Sequence, residues 1–95
     1  MDEAFVIRAL SALAHPTRLR AYAHVAAESE GVTPSQIAVA LNVGKTLLTG
    51  HLASLVAAGL LDRTDHGRTA TLRANRHVAA ELLGRLGEVL VVRRS

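Results

Sequence analysis

The chain has 95 residues, of which 49% are hydrophobic, and this size and composition predict one globular domain spanning residues 1–95. A wholly disordered chain is excluded, because disordered sequences lack the apolar residues needed to bury a core. The absence of cysteine excludes disulfides, thiolate metal sites and cysteine nucleophiles. Neither a signal peptide nor an apolar run of membrane-spanning length is recognisable, so we expect a cytoplasmic protein.

The charges are distributed unevenly along the sequence. Eleven lysines and arginines against eight acidic residues give a net charge of +3. Residues 31–61 contain a single charged side chain, Lys45, whereas residues 62–95 contain seven arginines and four acidic residues. This basic surplus favours a polyanionic partner such as nucleic acid. Because Phe5 and Tyr22 are the only aromatic residues, a stacking platform for single strands is not expected.

The first third of the sequence predicts two helices separated by His15 and Pro16. The first covers Glu3 to Leu13, and the second starts at Pro16 and runs to about Ala27. Proline suits the first position of a helix, because an amide hydrogen at that position would have no partner within the helix. Apolar residues at helical spacing mark the predicted buried stripes, which are Phe5, Ala9 or Leu10, and Leu13 in the first helix and Leu19, Tyr22, Ala23 and Ala26 in the second.

A capping pattern predicts a third, short helix. In the segment Thr33-Pro34-Ser35-Gln36, the side chains of Thr33 and Gln36 can each accept a hydrogen bond from the other residue's backbone amide. The helix is predicted to end at Leu41, and Asn42-Val43-Gly44 predicts a tight turn directly after it.

A fourth helix is predicted from Lys45 to about Ala58. Gly59 is suited to the left-handed backbone conformation that commonly ends a helix. The predicted buried stripe of this helix consists of Leu48, Leu52 and Leu55.

The last third predicts a β-hairpin and a final helix. Two short strands, Leu60 to Thr64 and Thr69 to Arg73, flank a turn at residues 65–68, in which Gly67 can adopt a positive φ. Asn75 is predicted to cap a helix that runs to about Val92. The wide apolar stripe of this helix, which either packs on the domain or meets a second copy, is Val78, Ala79, Leu82, Leu83, Leu86, Leu90 and Val91.

The order of these elements predicts a helix-turn-helix unit followed by a wing. The third helix, the three-residue turn and the fourth helix have the lengths of such a unit. Its second helix fits the major groove of duplex DNA, whose width just admits an α-helix. The hairpin that follows would be the wing, whose tip can lie along the DNA backbone or in the minor groove.

Three segments of the sequence resemble the ArsR/SmtB family of bacterial transcriptional repressors. They are ALSALAHPTRLRAY (residues 9–22), PSQIAVALNVGKTLLTGHLASLVAAGLL (residues 34–61) and DRTDHGRTATLRAN (residues 62–75). The resemblance implies a mainly α fold with a small β-hairpin, the winged helix-turn-helix, and a homodimer formed through the first and last helices. It also implies a repressor that binds an inverted-repeat operator in double-stranded DNA, with an unknown small-molecule inducer as a possible partner.

The same resemblance implies which residues contact DNA. The groove-facing positions are Lys45, Thr46, Thr49, Gly50 and His51, and the wing adds Arg63, His66, Arg68 and Arg73. Relatives usually have serine where Gly44 stands and often histidine or arginine where Gly50 stands. With a single charge on the fourth helix, we expect either a modest affinity for DNA or an affinity that depends on the wing.

Metal sensing, catalysis and protein binding are the alternative functions. The family's last-helix metal site is reduced here to His77 and Glu88, with Asn75 and Val91 at its other positions, so these two residues are weak candidates for a metal-responsive repressor. No catalytic or cofactor motif occurs, so we expect neither an enzyme nor a cofactor. A winged-helix module for protein contacts would instead use the apolar side chains Leu47, Ala53, Val56 and Ala57.

Overall fold

The computed structural model describes residues 2–91 and has five helices and two strands in this range. In chain order they are α1 (Glu3–Leu13), α2 (Pro16–Ala26), α3 (Pro34–Leu41), α4 (Lys45–Ala57), β1 (Leu61–His66), β2 (Thr69–Ala74) and α5 (Arg76–Leu90). The predicted fold class, mainly α with a small β-hairpin in a winged helix-turn-helix, is confirmed. Val92, near which the sequence predicts the end of the last helix, lies outside the described residues.

Local hydrogen bonds fix where the helices begin. The Thr33 hydroxyl accepts from the Gln36 amide at 3.1 Å, and the Gln36 side chain accepts from the Thr33 amide at 2.9 Å, so the predicted capping box is formed. Asn75 caps α5 by accepting from the Val78 amide at 2.9 Å, also as predicted. Only α4 among the described helices begins without a side-chain cap, because its N-cap residue is Gly44.

The turn between α3 and α4 sets their mutual angle. Asn42 adopts a left-handed conformation with φ 55°, and the chain direction changes by 114° between the two helices. This angle is typical of a helix-turn-helix. No single helix within residues 2–91 has the length and hydropathy to cross a membrane, although the bent pair of α3 and α4 would pass on length and composition together.

The hairpin is longer and its turn is tighter than the sequence predicts. The ladder extends to the pair His66 and Thr69, so only Gly67 and Arg68 form the turn, rather than residues 65–68. Gly67 has φ +77°, and a glycine of positive φ at the first turn position gives a two-residue turn that matches the twist of paired strands. Pairing can therefore continue to the turn itself.

A loop segment ties the hairpin to the helices. Val32 forms an isolated antiparallel bridge with Leu72, with N–O distances of 3.0 and 2.8 Å. Next to it, a Cβ atom on Gly31 would lie 2.8 Å from the Thr71 Cβ, so only glycine allows this close approach. The β2 strand is thus held directly against the loop that precedes α3.

The core lies where α1 to α4 meet the hairpin. The predicted stripe of α4 is confirmed, since Leu48, Leu52 and Leu55 are all buried. The prediction for α2 is correct only for Tyr22, which packs against the core. Ala21 and Val25 are the buried residues, while Leu19 is 54% exposed and Ala23 is also exposed. The predicted and the observed stripe of α2 both have helical spacing. Which of the two is buried depends on where the neighbouring elements pack against the helix. In α1, Ala9 rather than Leu10 joins the buried stripe with Phe5 and Ala12, and Leu13 is partly buried.

Much of the apolar stripe of α5 remains exposed. Leu82 is buried, and Val78 and Leu86 pack against the core from its edge. Leu83 and Leu90 are exposed by 70% and 75%. Of the two predicted roles for the stripe, packing on the domain therefore accounts for only part of it.

Adjacent leucines of α4 offer a matched test of this packing. Leu48 is fully buried, whereas Leu47 is 74% exposed. We expect Leu48→Ala to lower the free energy of unfolding by about 2–5 kcal/mol, since it leaves a cavity. Leu47→Ala should change it by less than about 0.5 kcal/mol. Urea denaturation followed by circular dichroism at one protein concentration measures both, and equal losses would contradict the assigned orientation of α4.

Candidate nucleic-acid interface

The exposed side of α4 carries most of the predicted groove-facing residues. Burial of the leucine stripe turns Thr46, Thr49 and Gly50 toward solvent. The Thr49 hydroxyl donates to the Lys45 carbonyl at 2.8 Å, so its proton is used within the helix and its oxygen remains an acceptor. A Cβ atom on Gly50 would meet nothing within 4 Å.

The strand register sorts the hairpin side chains into two faces. Arg63 pairs with Leu72 and Asp65 with Ala70, and directly opposed residues share a face. Arg63 therefore lies on the face that packs toward α4. Arg73 lies on the opposite face, since the side chains of adjacent strand residues alternate.

A cavity of about 270 Å³ between α3, α4 and the hairpin brings four of the predicted residues together. Lys45 and Thr49 line it from α4, and Arg63 and Arg68 line it from the hairpin. Further lining comes from Thr33, Pro34, Ser35, Asp65, Gly67, Thr69 and Ala70. Three cations around one concave surface create a positive potential that suits an anionic group.

Asp65 is the charged residue of this cavity that the sequence analysis did not assign to the site. Its carboxylate accepts from Arg63 Nε at 3.0 Å, and both side chains are exposed. The sequence signal that could have found Asp65 is its spacing from Arg63, because residues two apart on a strand point to the same face. Asp65 thus places a negative charge among the three cations.

His51 lies apart from the cavity, on the side of α4 that faces α2. Arg18 Nε donates to His51 Nδ1 at 3.2 Å, and the rings of His51 and His15 are 4.4 Å apart between centroids. Burial lowers the pKa of His51, and the nearby His15 and Arg18 lower it further. Its neutral ring therefore acts as an acceptor between the two helices.

His66 and Arg73 lie on the outer face of the hairpin. His66 Nε2 is 3.0 Å from Thr71 Oγ1. Arg73 donates to the Ser29 carbonyl at 3.3 Å and lies 4.0 Å from the Glu30 carboxylate. The structure therefore does not group these two residues with Lys45, Arg63 and Arg68.

The two weak metal candidates remain separate on α5. His77 and Glu88 lie along one depression of this helix with Glu81 between them, and Glu88 pairs with Arg85 at 3.2 Å. Within residues 2–91, no three histidine, aspartate or glutamate side chains come close enough to share a metal ion.

Comparison with known proteins identifies the family. The model of the MarR family matches residues 16–70, from the first residue of α2 into β2. The chain belongs to the MarR family. No curated protein sequence matches it significantly.

Solved structures show the same fold as this MarR-family chain. An ArsR-like transcriptional regulator from Rhodococcus sp. RHA1 is similar with a TM-score of 0.80 and 23% identity, over 90% of this chain and 79% of that one. A homodimeric winged helix-turn-helix DNA-binding domain from Mycobacterium bovis, a possible ArsR-family regulator, is similar with a TM-score of 0.73 and 21% identity. The match covers 97% of this chain and 86% of that one. NolR from Sinorhizobium fredii is similar with a TM-score of 0.70 and 22% identity, over 95% of this chain and 88% of that one. The predicted resemblance to ArsR/SmtB proteins is thus confirmed at the level of the fold, and the family of the chain is MarR.

The environment of His51 predicts a pH-dependent stability. The pKa of His51 in the folded protein should lie below the value of about 6.5 of an unperturbed histidine. The unfolded chain then takes up this proton first, so the free energy of unfolding falls as the pH drops from about 6.5 to the lowered pKa. NMR titration of the histidine Cε1 protons measures the pKa, and Arg18→Gln should raise it. A pKa at or above the unperturbed value would refute the assigned contacts.

Proposed function

We propose that this protein is a repressor that binds an inverted-repeat operator in double-stranded DNA as a homodimer. The observation that supports it best is the cavity that gathers Lys45, Arg63 and Arg68 beside the exposed side of α4. The Mycobacterium bovis domain of the same fold is homodimeric and binds DNA, by its description. In this role residues 1–95 act as one domain that neither catalyses a reaction nor binds a cofactor.

In this proposal α4 lies in the major groove. Thr46 and Thr49 are short enough to meet base edges, and Lys45 reaches a guanine or a phosphate. Gly50 allows the helix backbone to come close to the groove, because no side chain occupies the space above it.

The hairpin supplies the electrostatic part of the interaction. A backbone phosphate that enters the cavity would meet Arg63, Arg68 and Lys45 together, and charge-assisted hydrogen bonds to phosphate are strong. His66 and Arg73, on the outer face, would contact the backbone further along. His51 would contribute indirectly, because its bond to Arg18 orients α4 against α2.

The dimer interface is proposed to form from the exposed apolar residues of α1, of α5 and of the C-cap of α5. They are Ile7, Leu10, Leu83, Val89, Leu90 and Val91. Two-fold pairing through these helices would place the two α4 helices about one DNA turn apart, as an inverted repeat requires. An inducer of unknown chemistry would act by preferring one arrangement of the two subunits.

The salt dependence of Arg68→Ala tests the role of the hairpin. Fluorescence anisotropy with duplex DNA from upstream of the protein's own gene gives the affinity over a range of salt concentrations. We expect weaker binding and a less steep decrease of log affinity with log salt, the magnitude of the slope falling by about 0.9 for each lost phosphate contact. Arg68→Lys, which keeps the charge, should keep the slope. Failure of the wild-type protein to bind any duplex at low salt would refute the proposed function.

Removal of the Asp65 charge is expected to strengthen DNA binding. Asp65→Asn leaves the shape of the cavity but ends the competition between this carboxylate and a phosphate for Arg63. Affinity at low salt should rise roughly threefold to tenfold. Asp62→Asn, on the outer face, is the control and should have a smaller effect. Weaker binding by Asp65→Asn would show that Asp65 positions Arg63 for DNA instead.

A further inference from the structure

Leu47 is an apolar side chain that the fold does not explain. It is 74% exposed, although the next residue, Leu48, is fully buried. It lies in the first turn of α4, directly after Thr46. Within residues 2–91 no other element covers it, so its side chain is open to contact by a partner.

The polar groups of α4 leave few ways to read a base by hydrogen bonding. The Thr49 hydroxyl donates to the Lys45 carbonyl at 2.8 Å, and the Ser54 hydroxyl donates to the Gly50 carbonyl at 3.2 Å. The Nδ1 atom of His51 is occupied by Arg18. Hydrogen bonding to bases is thus left to Lys45, Thr46 and the Thr49 oxygen, and an apolar contribution would add discrimination that these groups do not supply.

Gly50 provides the access that such a contribution requires. It follows Leu47 by three residues, so the two lie next to each other on the helix surface. A glycine inside a helix costs about 1 kcal/mol relative to alanine, and here no packed neighbour within residues 2–91 requires one. Its open space lets a bulky surface approach the helix beside Leu47.

The charge distribution of α3, α4 and the hairpin favours duplex DNA as that surface. Residues 31–61, which include α3 and α4, contain no acidic residue. The cationic cavity with Lys45, Arg63 and Arg68 adjoins the same helix on its Thr49 side, about 160° around the helix axis from Leu47, so a duplex that meets both spans the exposed side of α4. In the major groove of a polyanionic duplex, the apolar group that an exposed leucine can contact is the 5-methyl group of thymine.

We propose that Leu47 is a specificity-determining residue that contacts the 5-methyl group of one thymine in each operator half-site. This inference rests on the proposed function, in which α4 lies in the major groove. It assigns to an apolar contact part of the discrimination that hydrogen bonds supply in other DNA-binding helices.

Deoxyuridine substitution tests this contact, because it removes only the thymine methyl group. The tightest-binding duplex is first selected from random sequences with the full-length protein, and each of its thymines is then replaced singly. For the wild-type protein, we expect one replacement per half-site to lower the affinity about three- to fivefold, the value of one buried methyl group. Leu47→Ala should bind the selected duplex more weakly and should be insensitive to that replacement.

Val39→Ala is the matched control, because Val39 is also an exposed apolar residue but lies on α3. It should respond to deoxyuridine as the wild type does. The salt slope of Leu47→Ala should equal that of the wild type, which separates a lost methyl contact from lost phosphate contacts.

The outcomes separate this inference from the proposed function. The contact is refuted, while DNA binding stands, if the protein binds duplex DNA but no deoxyuridine replacement lowers its affinity. The same holds if the deoxyuridine replacement lowers the affinity of Leu47→Ala as much as that of the wild type. Unchanged DNA binding by Leu47→Ala would also refute the contact. Absence of binding to every duplex would refute both.

Discussion

Burial of one side of α4 is the constraint on which the rest of the structure depends. Leu48, Leu52 and Leu55 pack into the core with residues from α2 and α3, such as Val25 and Ile37. Their burial fixes the rotation of α4 about its own axis. Because neighbouring residues of a helix differ by about 100° in direction, no other rotation buries these leucines and also exposes the residues between them. The exposed side is thus a direct consequence of the core.

The hairpin adds a second constraint, which is its strand register. Side chains alternate between the two faces, so a shift by one residue would exchange the inner and outer sets. The bridge between Val32 and Leu72 and the close approach of Gly31 to Thr71 hold β2 in place. Arg63 therefore meets Lys45 across a cavity rather than pointing away from it. Charge concentration at this surface results from register as much as from composition.

The two constraints divide the proposed DNA contacts between α4 and the hairpin. The hairpin has cations that suit the phosphate backbone, whereas α4 has one charge and an exposed side of small and apolar residues. Phosphate contacts supply affinity without sequence information, and base contacts supply specificity. In this MarR-family chain with an ArsR-like fold, the proposed interface separates these roles between two elements.

The sequence alone determined the features that depend on neighbouring residues. The capping box of Thr33, the cap at Asn75, the glycine at the hairpin turn and the leucine stripe of α4 follow from local hydrogen bonding and periodicity. The tertiary structure decided which stripe of α2 is buried, where the hairpin turns, that His51 contacts Arg18, and that Asp65 joins the cationic cavity. Those features depend on side chains that folding brings together from distant positions, and spacing within one element carries no information about its neighbours.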